Sequence, residues 1–140
     1  MKPVMTIQEM TDFLAKVFPQ IAADFEIIHM DGETVDVRMN VKERHLRPGN
    51  TVSGPSMFAL ADVAYYIATM ARIGPEALTV TTNCSIDFMR KPAPSNMIGK
   101  ARVLKLGKTL SVGDVMLYSE GMDEPVAHAN LTYAIPPARK

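Results

Sequence analysis

One long segment of the sequence is apolar on almost every side, and it limits the possible folds more than any other feature. Residues 54–72 read as a helix that begins at Gly54-Pro55, because a proline at the first helical position gives up an N–H that would have no partner there. Gly74 and Pro75 end it. A helix without a polar face must be covered on most sides. The sequence therefore predicts a central helix that is buried by a sheet and by something beyond that sheet.

The segments around this helix alternate apolar and polar residues, as strands do. Six segments show the pattern: Phe25 to Met30, Thr34 to Val41, Leu78 to Phe88, Gly99 to Leu106, Leu110 to Tyr118 and Val126 to Ala134. Asp31-Gly32 favours a tight turn, so the first two form a hairpin. One sheet of about six strands can curl around only part of the central helix. We therefore expect a second subunit to cover the remaining face, giving a homodimer or a homotetramer.

Two further segments flank the hairpin. A helix is predicted over Thr6 to Val17, where Thr6 is the N-cap, Glu9 completes a capping box and Pro19 ends the helix. The segment from Lys42 to Ser53 has no regular pattern and carries turn-forming residues, among them Asn50. It is predicted to be a long irregular loop, and a loop of that length often carries function.

Composition restricts the class of protein. The 140 residues suffice for one domain, read as residues 1–140 with an N-terminal helical part over 1–22 and a flexible tail over 135–140. Fifteen basic residues balance fifteen acidic ones, so no overall field attracts nucleic acid or a membrane surface. The longest apolar stretch, Met57 to Ala71, is shorter than the roughly 20 residues that span a bilayer. Cys84 is the single cysteine and cannot form an internal disulfide, so we expect a cytoplasmic protein. The three histidines stand apart from possible co-ligands, so we expect no metal site.

Asp62 is the only charged residue between Gly54 and Ala71. Its side chain either reaches solvent or a neighbouring hydroxyl, or it is a partly desolvated carboxylate that acts as a base or nucleophile at a cleft. Gly54 begins the same helix eight residues earlier, where free N–H groups can stabilise a developing oxyanion. Eight residues rise by about 12 Å, which is too far for both groups of one chain to act on one carbonyl. A site shared between two antiparallel central helices, Gly54 from one and Asp62 from the other, removes this difficulty.

Four motifs follow one another between residues 24 and 134. They are SGPSMFALAD at 53–62, TTNCSIDFMR at 81–90, VLKLGKT at 103–109 and VAHA at 126–129. Their order and spacing resemble the hot-dog thioesterases of the phenylacetate-pathway (PaaI-like) type. The central helix of that family typically begins His-Gly-Gly and reaches a Leu-Ala-Asp triplet, with the Asp eight positions after the first Gly.

The resemblance implies both a fold and an activity. The fold is the α+β hot-dog fold, an antiparallel sheet of about five or six strands wrapped around a long central helix, and the activity is hydrolysis of an acyl-coenzyme A (acyl-CoA) thioester. The family's Asp, which activates water or attacks the thioester, corresponds to Asp62. The N–H that polarises the carbonyl corresponds to Gly54, and the hydroxyl that orients the water corresponds to Thr81.

Substrate contacts are expected from four other residues. Arg90 and Lys91 are expected to meet the phosphates of coenzyme A, and Ser53 and Asn50 are expected to contact the substrate beside the start of the central helix. Coenzyme A enters only as part of the substrate. No metal or redox cofactor is expected for this reaction.

Three positions depart from the family pattern. Ser53 replaces the His, Pro55 replaces the second Gly, and Arg47 replaces an Asn often found seven residues before the first Gly. Pro55 cannot donate a hydrogen bond, whereas Gly54 still can. The departures leave open a non-catalytic hot-dog protein that binds an acyl-thioester or serves assembly. A hot-dog dehydratase is a weaker alternative, because its usual catalytic histidine has no evident counterpart.

Overall fold

A computed structural model describes residues 2–137 of the chain. The elements are α1 (Ile7–Val17), α2 (Pro19–Ala22), β1 (Phe25–Met30), β2 (Thr34–Met39), a turn of 3-10 helix (Glu43–His45), β3 (Leu46–Arg47), β4 (Thr51–Val52), α3 (Gly54–Ile73), β5 (Val80–Phe88), β6 (Met97–Leu106), β7 (Leu110–Ser119) and β8 (Ala127–Ala134). Residues 135–137 follow β8 without regular structure. The rest of the predicted tail, 138–140, lies outside the described residues. None of the helices within 2–137 is both long enough and apolar enough to cross a bilayer.

Six strands form one antiparallel sheet in the order β1-β2-β6-β7-β8-β5. The long helix α3 packs on one face of this sheet and contacts every strand in it. One long helix held against a curved antiparallel sheet is the hot-dog arrangement, so the predicted fold class is confirmed. The outermost strands are β1 and β5, and β5 pairs only with β8 on its inner side.

The predicted helices agree with the structure, whereas the segment predicted as an irregular loop has regular structure in it. Thr6 caps α1, and the reciprocal bonds with Glu9 complete the capping box. A short second helix, α2, begins at Pro19, where the proline that ends α1 also suits the first position of a new helix. The segment predicted as an irregular loop contains a small hairpin, in which β3 and β4 have two residues each. Its tight turn is allowed because Gly49 and Asn50 adopt positive φ angles of 95° and 57°.

The cover of α3 comes from two sources within the chain. Between Leu60 and Ala71 every residue except Asp62 is buried. The sheet covers one side, and the N-terminal segment covers another: the Val4 N–H donates to the Ala71 carbonyl at 2.8 Å, and the Phe18 ring meets Tyr66 edge-on. Part of the cover beyond the sheet therefore comes from the chain itself, from the residues just before and just after α1, and the second subunit expected over the remaining face stays a prediction. Only the first turns of α3 keep an exposed apolar side chain, Phe58.

A buried hydroxyl cluster fixes α3 to the middle of the sheet. Tyr65 OH and Thr69 Oγ1 both bond to Ser111 Oγ on β7, at 2.8 and 3.0 Å. The ring of Tyr65 can lie this close because Gly113 has no side chain, and a Cβ there would clash with the ring and with the Arg102 carbonyl oxygen. These contacts lie one and two turns beyond Asp62 and hold that part of the helix at a fixed depth.

Candidate active site

Two hydroxyl groups hold the side chain of Asp62. Thr81 Oγ1 donates to Asp62 Oδ1 at 2.6 Å, and Tyr133 OH lies 2.6 Å from the same oxygen and 2.9 Å from the Asp62 carbonyl. Thr81 on β5 and Tyr133 on β8 are direct partners in the antiparallel ladder, so their side chains leave the same face of the sheet. The sheet register therefore brings both hydroxyls to one carboxylate oxygen.

The second carboxylate oxygen of Asp62 has no such partner. Oδ2 makes no hydrogen bond to any described side chain or backbone group, and it is not among the buried atoms that lack a partner. Oδ2 is therefore accessible at the surface of a cleft of about 350 Å³. The cleft is lined by Val17, Phe18, Gln20, Asp62, Val63, Tyr66, Ala77, Thr79, Val80, Thr81 and Tyr133. This arrangement suits a carboxylate that is oriented through one oxygen and reacts through the other.

Tyr133 is the site residue that the sequence analysis missed. It is 3% exposed, and burial raises its pKa far above the ordinary value, with the charge of Asp62 adding to the rise. The phenol therefore stays protonated and remains a donor to Asp62 over the whole range of enzyme assays. The sequence did carry a signal: Tyr133 continues the inward row of Ala127, Ala129 and Leu131, and a tyrosine in a core row needs a hydrogen-bond partner.

Gly54 begins α3 and has a free donor. Ser53 caps the helix by accepting from the Ser56 N–H at 3.2 Å, and its hydroxyl lies 2.9 Å from Ser56 Oγ. No group within residues 2–137 accepts from the Gly54 N–H. Gly54 and Asp62 are separated by eight residues of continuous helix, or about 12 Å of rise, so one chain does not bring them together.

The remaining predicted residues lie away from Asp62. Arg90 forms an ion pair with Glu124 at 2.9 Å and donates to the Pro125 carbonyl at 2.8 Å, so part of its charge is already compensated. Lys91 is exposed and forms no ion pair within residues 2–137. Asn50 is exposed at the tip of the small hairpin of β3 and β4. The structure thus unites Asp62 with Thr81, and it leaves the four predicted substrate contacts outside the cleft.

Other chemistry around the cleft is limited. The Cys84 thiol lies on β5, and its pKa is raised by burial and then by the charge of Asp62, so it is a poor nucleophile. No group of three or more metal-ligating side chains gathers in the part of the chain that the structure describes.

The comparisons with known proteins decide the class of this chain. Residues 49–126 match the family model of the thioesterase superfamily. This chain belongs to the thioesterase superfamily. A thioesterase candidate from Silicibacter sp. TM1040 is 54% identical, with 98% of this chain and 96% of that chain covered and a TM-score of 0.91.

Two PaaI proteins are also similar. A mutant of the phenylacetic acid degradation protein PaaI from Thermus thermophilus is 27% identical, with 84% of this chain and 99% of that chain covered and a TM-score of 0.72. The PaaI protein from the phenylacetic acid degradation operon of E. coli is 25% identical, with 91% of this chain and 95% of that chain covered and a TM-score of 0.74. These likenesses confirm the resemblance to hot-dog thioesterases of the PaaI-like type.

Proposed function

We propose that this thioesterase-superfamily protein hydrolyses acyl-CoA thioesters to the free acid and coenzyme A, with Asp62 as the catalytic carboxylate. The observation that carries the proposal is the asymmetry of that carboxylate. Thr81 and Tyr133 both bond to Oδ1, and Oδ2 is accessible at the cleft. A carboxylate held in this way can take a proton from water, or can itself attack the thioester carbon. Both routes use the same atom, Oδ2.

The supporting hydroxyls have different tasks in this mechanism. Thr81 and Tyr133 fix the rotamer of Asp62, so that Oδ2 does not have to be reoriented when the substrate binds. Thr81 is also close enough to the carboxylate to orient an attacking water, as the family resemblance implies. Tyr133 stays a neutral donor, because burial and then the negative charge of Asp62 raise its pKa. When Asp62 acts as the base, breakdown of the tetrahedral intermediate releases the coenzyme A thiolate, which takes the proton held by Asp62. When Asp62 attacks directly, the thiolate leaves as an anhydride forms and takes a proton from solvent, and water then cleaves the anhydride to free the acid and Asp62.

The thioester oxygen requires a donor that the Asp62 cleft does not supply within one chain. We propose that the Gly54 N–H of a second copy polarises this oxygen, in keeping with the free N–H at the start of α3. The homodimer this requires is supported by an exposed apolar surface along the outer strand β5 and the start of α3. Its exposed apolar residues are Phe58, Leu78, Val80 and Phe88. An outer strand with such side chains is suited to pairing with another copy.

The coenzyme A moiety carries phosphates that need cations. Lys91 is the better candidate for these contacts, because Arg90 already pairs with Glu124. Both follow β5 directly, beyond Phe88, whose ring would lie 3.6 Å from a Cβ placed on Gly54. The phosphates would then bind beside the Gly54 end of a shared site. The proposed reaction uses a carboxylate, a backbone donor and water, and it calls for no metal or redox cofactor.

The test is an assay of the pure protein with a panel of acyl-CoA esters and a thiol reagent that reports free coenzyme A. We expect turnover of at least one ester at a rate on the order of 1 s⁻¹ or more, within the ordinary range for enzymes. Binding of acyl-CoA without release of thiol would instead favour the non-catalytic alternative. The departures from the family pattern at Ser53, Pro55 and Arg47 are compatible with that alternative. Hydration of an enoyl-CoA would favour the dehydratase.

A further inference from the structure

A second hollow lies on the other side of the N-terminal segment from the Asp62 cleft. It has a volume of about 570 Å³ and lies between α1, α2, β1 and α3. Leu14 and Ala15 line it from α1, Ala22 from α2, and Val63 and Ile67 from α3. Most of its wall is apolar, so it suits an apolar ligand better than a polar one. A hollow of this size is in the range that holds small ligands in other proteins.

The apolar pocket and the Asp62 cleft share a wall. Val63 follows Asp62 directly and lines both hollows, so it lies at the boundary between them. The segment that joins α1 to α2 forms the other side of the boundary: Phe18 lines the cleft and Pro19 lines the pocket. Val63 and this segment therefore form the boundary that an acyl group beginning at Asp62 would have to cross to enter the pocket.

We propose that the apolar pocket holds the distal carbons of a medium-chain saturated acyl group whose thioester carbon lies beside Asp62. This inference rests on the proposed function and specifies its substrate class. The cleft takes the first part of the acyl group, where Thr79, Thr81 and Tyr133 give it a partly polar lining. The carbons beyond Val63 enter the apolar pocket.

The polar groups of the pocket favour this occupant over a hydroxylated or charged acyl group. Glu26 and Thr11 are exposed side chains, and Glu26 already bonds to Arg38 at 2.9 Å. Within residues 2–137 no cation lines the pocket to receive a terminal carboxylate. Each methylene that leaves water for such a wall strengthens binding by about fourfold. The value of kcat/KM should therefore increase with the length of the acyl chain until the pocket is filled.

The test compares kcat/KM for butanoyl-, octanoyl- and dodecanoyl-CoA in variants that fill the pocket. Ala15→Phe and Ala22→Phe place an aromatic ring in it from two different helices. For each, we expect the ratio of dodecanoyl to butanoyl kcat/KM to fall by at least about tenfold relative to the wild type, because several methylenes lose their apolar contacts. Lys16→Phe is the matched control: it adds the same ring to α1 at an exposed position outside the pocket wall, and the ratio should not change.

A binding measurement separates failure of this inference from failure of the proposed function. Calorimetry with decan-1-ol, a neutral chain that places no second negative charge beside Asp62, should show binding to the wild type and to Lys16→Phe, and a binding constant at least about tenfold weaker for the two pocket variants. A wild-type rate that does not rise with chain length, or a pocket variant with an unchanged ratio, contradicts the inference while leaving acyl-CoA hydrolysis intact. If no ester is hydrolysed, the proposed function fails, and equal decan-1-ol binding by all four proteins would then overturn the pocket as well.

Discussion

Replacing Asp62 by asparagine should lower kcat for the best acyl-CoA substrate by at least about a hundredfold, the loss expected when an acid–base group is removed. The amide is almost the same size as the carboxylate, and its oxygen can still accept from Thr81 and Tyr133. What it loses is the negative charge and the basic oxygen at Oδ2. Steady-state kinetics with a thiol reagent measures the effect. An unchanged melting temperature would show that the fold is intact.

Tyr133→Phe provides the comparison for that variant. It removes one of the two donors to Oδ1 but leaves the carboxylate and the Thr81 bond in place. A hydrogen bond to a charged group contributes a few kcal/mol at most, so we expect a smaller loss of roughly tenfold. If Asp62→Asn retained more than half of the wild-type turnover, or lost less than Tyr133→Phe, the chemistry would have to reside on another residue.

Replacing Gly54 by proline should also lower kcat by about a hundredfold or more, because it removes the proposed donor to the thioester oxygen. The backbone before position 54 suits the change, and the crowding of a Cβ at position 54 by the Pro55 ring is shared with the Gly54→Ala control described below. Ser53 has φ of −73° and ψ of 154°, which is the extended conformation that a residue before proline prefers. Proline is also well tolerated at the first position of a helix. The loss should appear in kcat more than in KM, since the contact strengthens as the oxyanion forms.

Gly54→Ala is the matched control for the proline variant, since it adds a side-chain carbon but keeps the N–H. A Cβ at this position meets the Phe88 ring at 3.6 Å, an ordinary contact, so the helix start should not move. We expect Gly54→Ala to retain most of its turnover. Equal losses in the two variants would mean that the added carbon, and not the missing donor, causes the defect.

The fold of this chain could be predicted because its signals are local and repeated. The capping box of α1, the Asp31-Gly32 turn and the alternating strands each depend on neighbouring residues, and they agree with one another. The small hairpin before α3 was harder to predict. Its strands have two residues each, and its turn depends on a left-handed Asn50 that no periodicity reveals.

The site was only partly predictable, since it depends on pairing across the sheet. Asp62 was evident as a lone charge in an apolar helix, and the family resemblance supplied Thr81. Tyr133 reaches Asp62 only because β8 pairs with β5 in a register that sets it opposite Thr81, and register is a tertiary property. The packing of Val4 and Phe18, on either side of α1, against α3 was missed for the same reason. An amphipathic pattern predicts a helix but does not identify the surface that it covers.

The central claim is that Asp62 of one chain and Gly54 of another act on the same thioester, and mixed dimers test it most directly. Asp62→Asn and Gly54→Pro chains carrying different affinity tags can be co-expressed and purified through both tags. In such a dimer one shared site has both changes, whereas the other has an intact Asp62 and an intact Gly54. The mixed dimer should therefore show about half of the wild-type kcat, although each parent variant has lost about a hundredfold or more. A mixed dimer no more active than its parents would contradict the shared site.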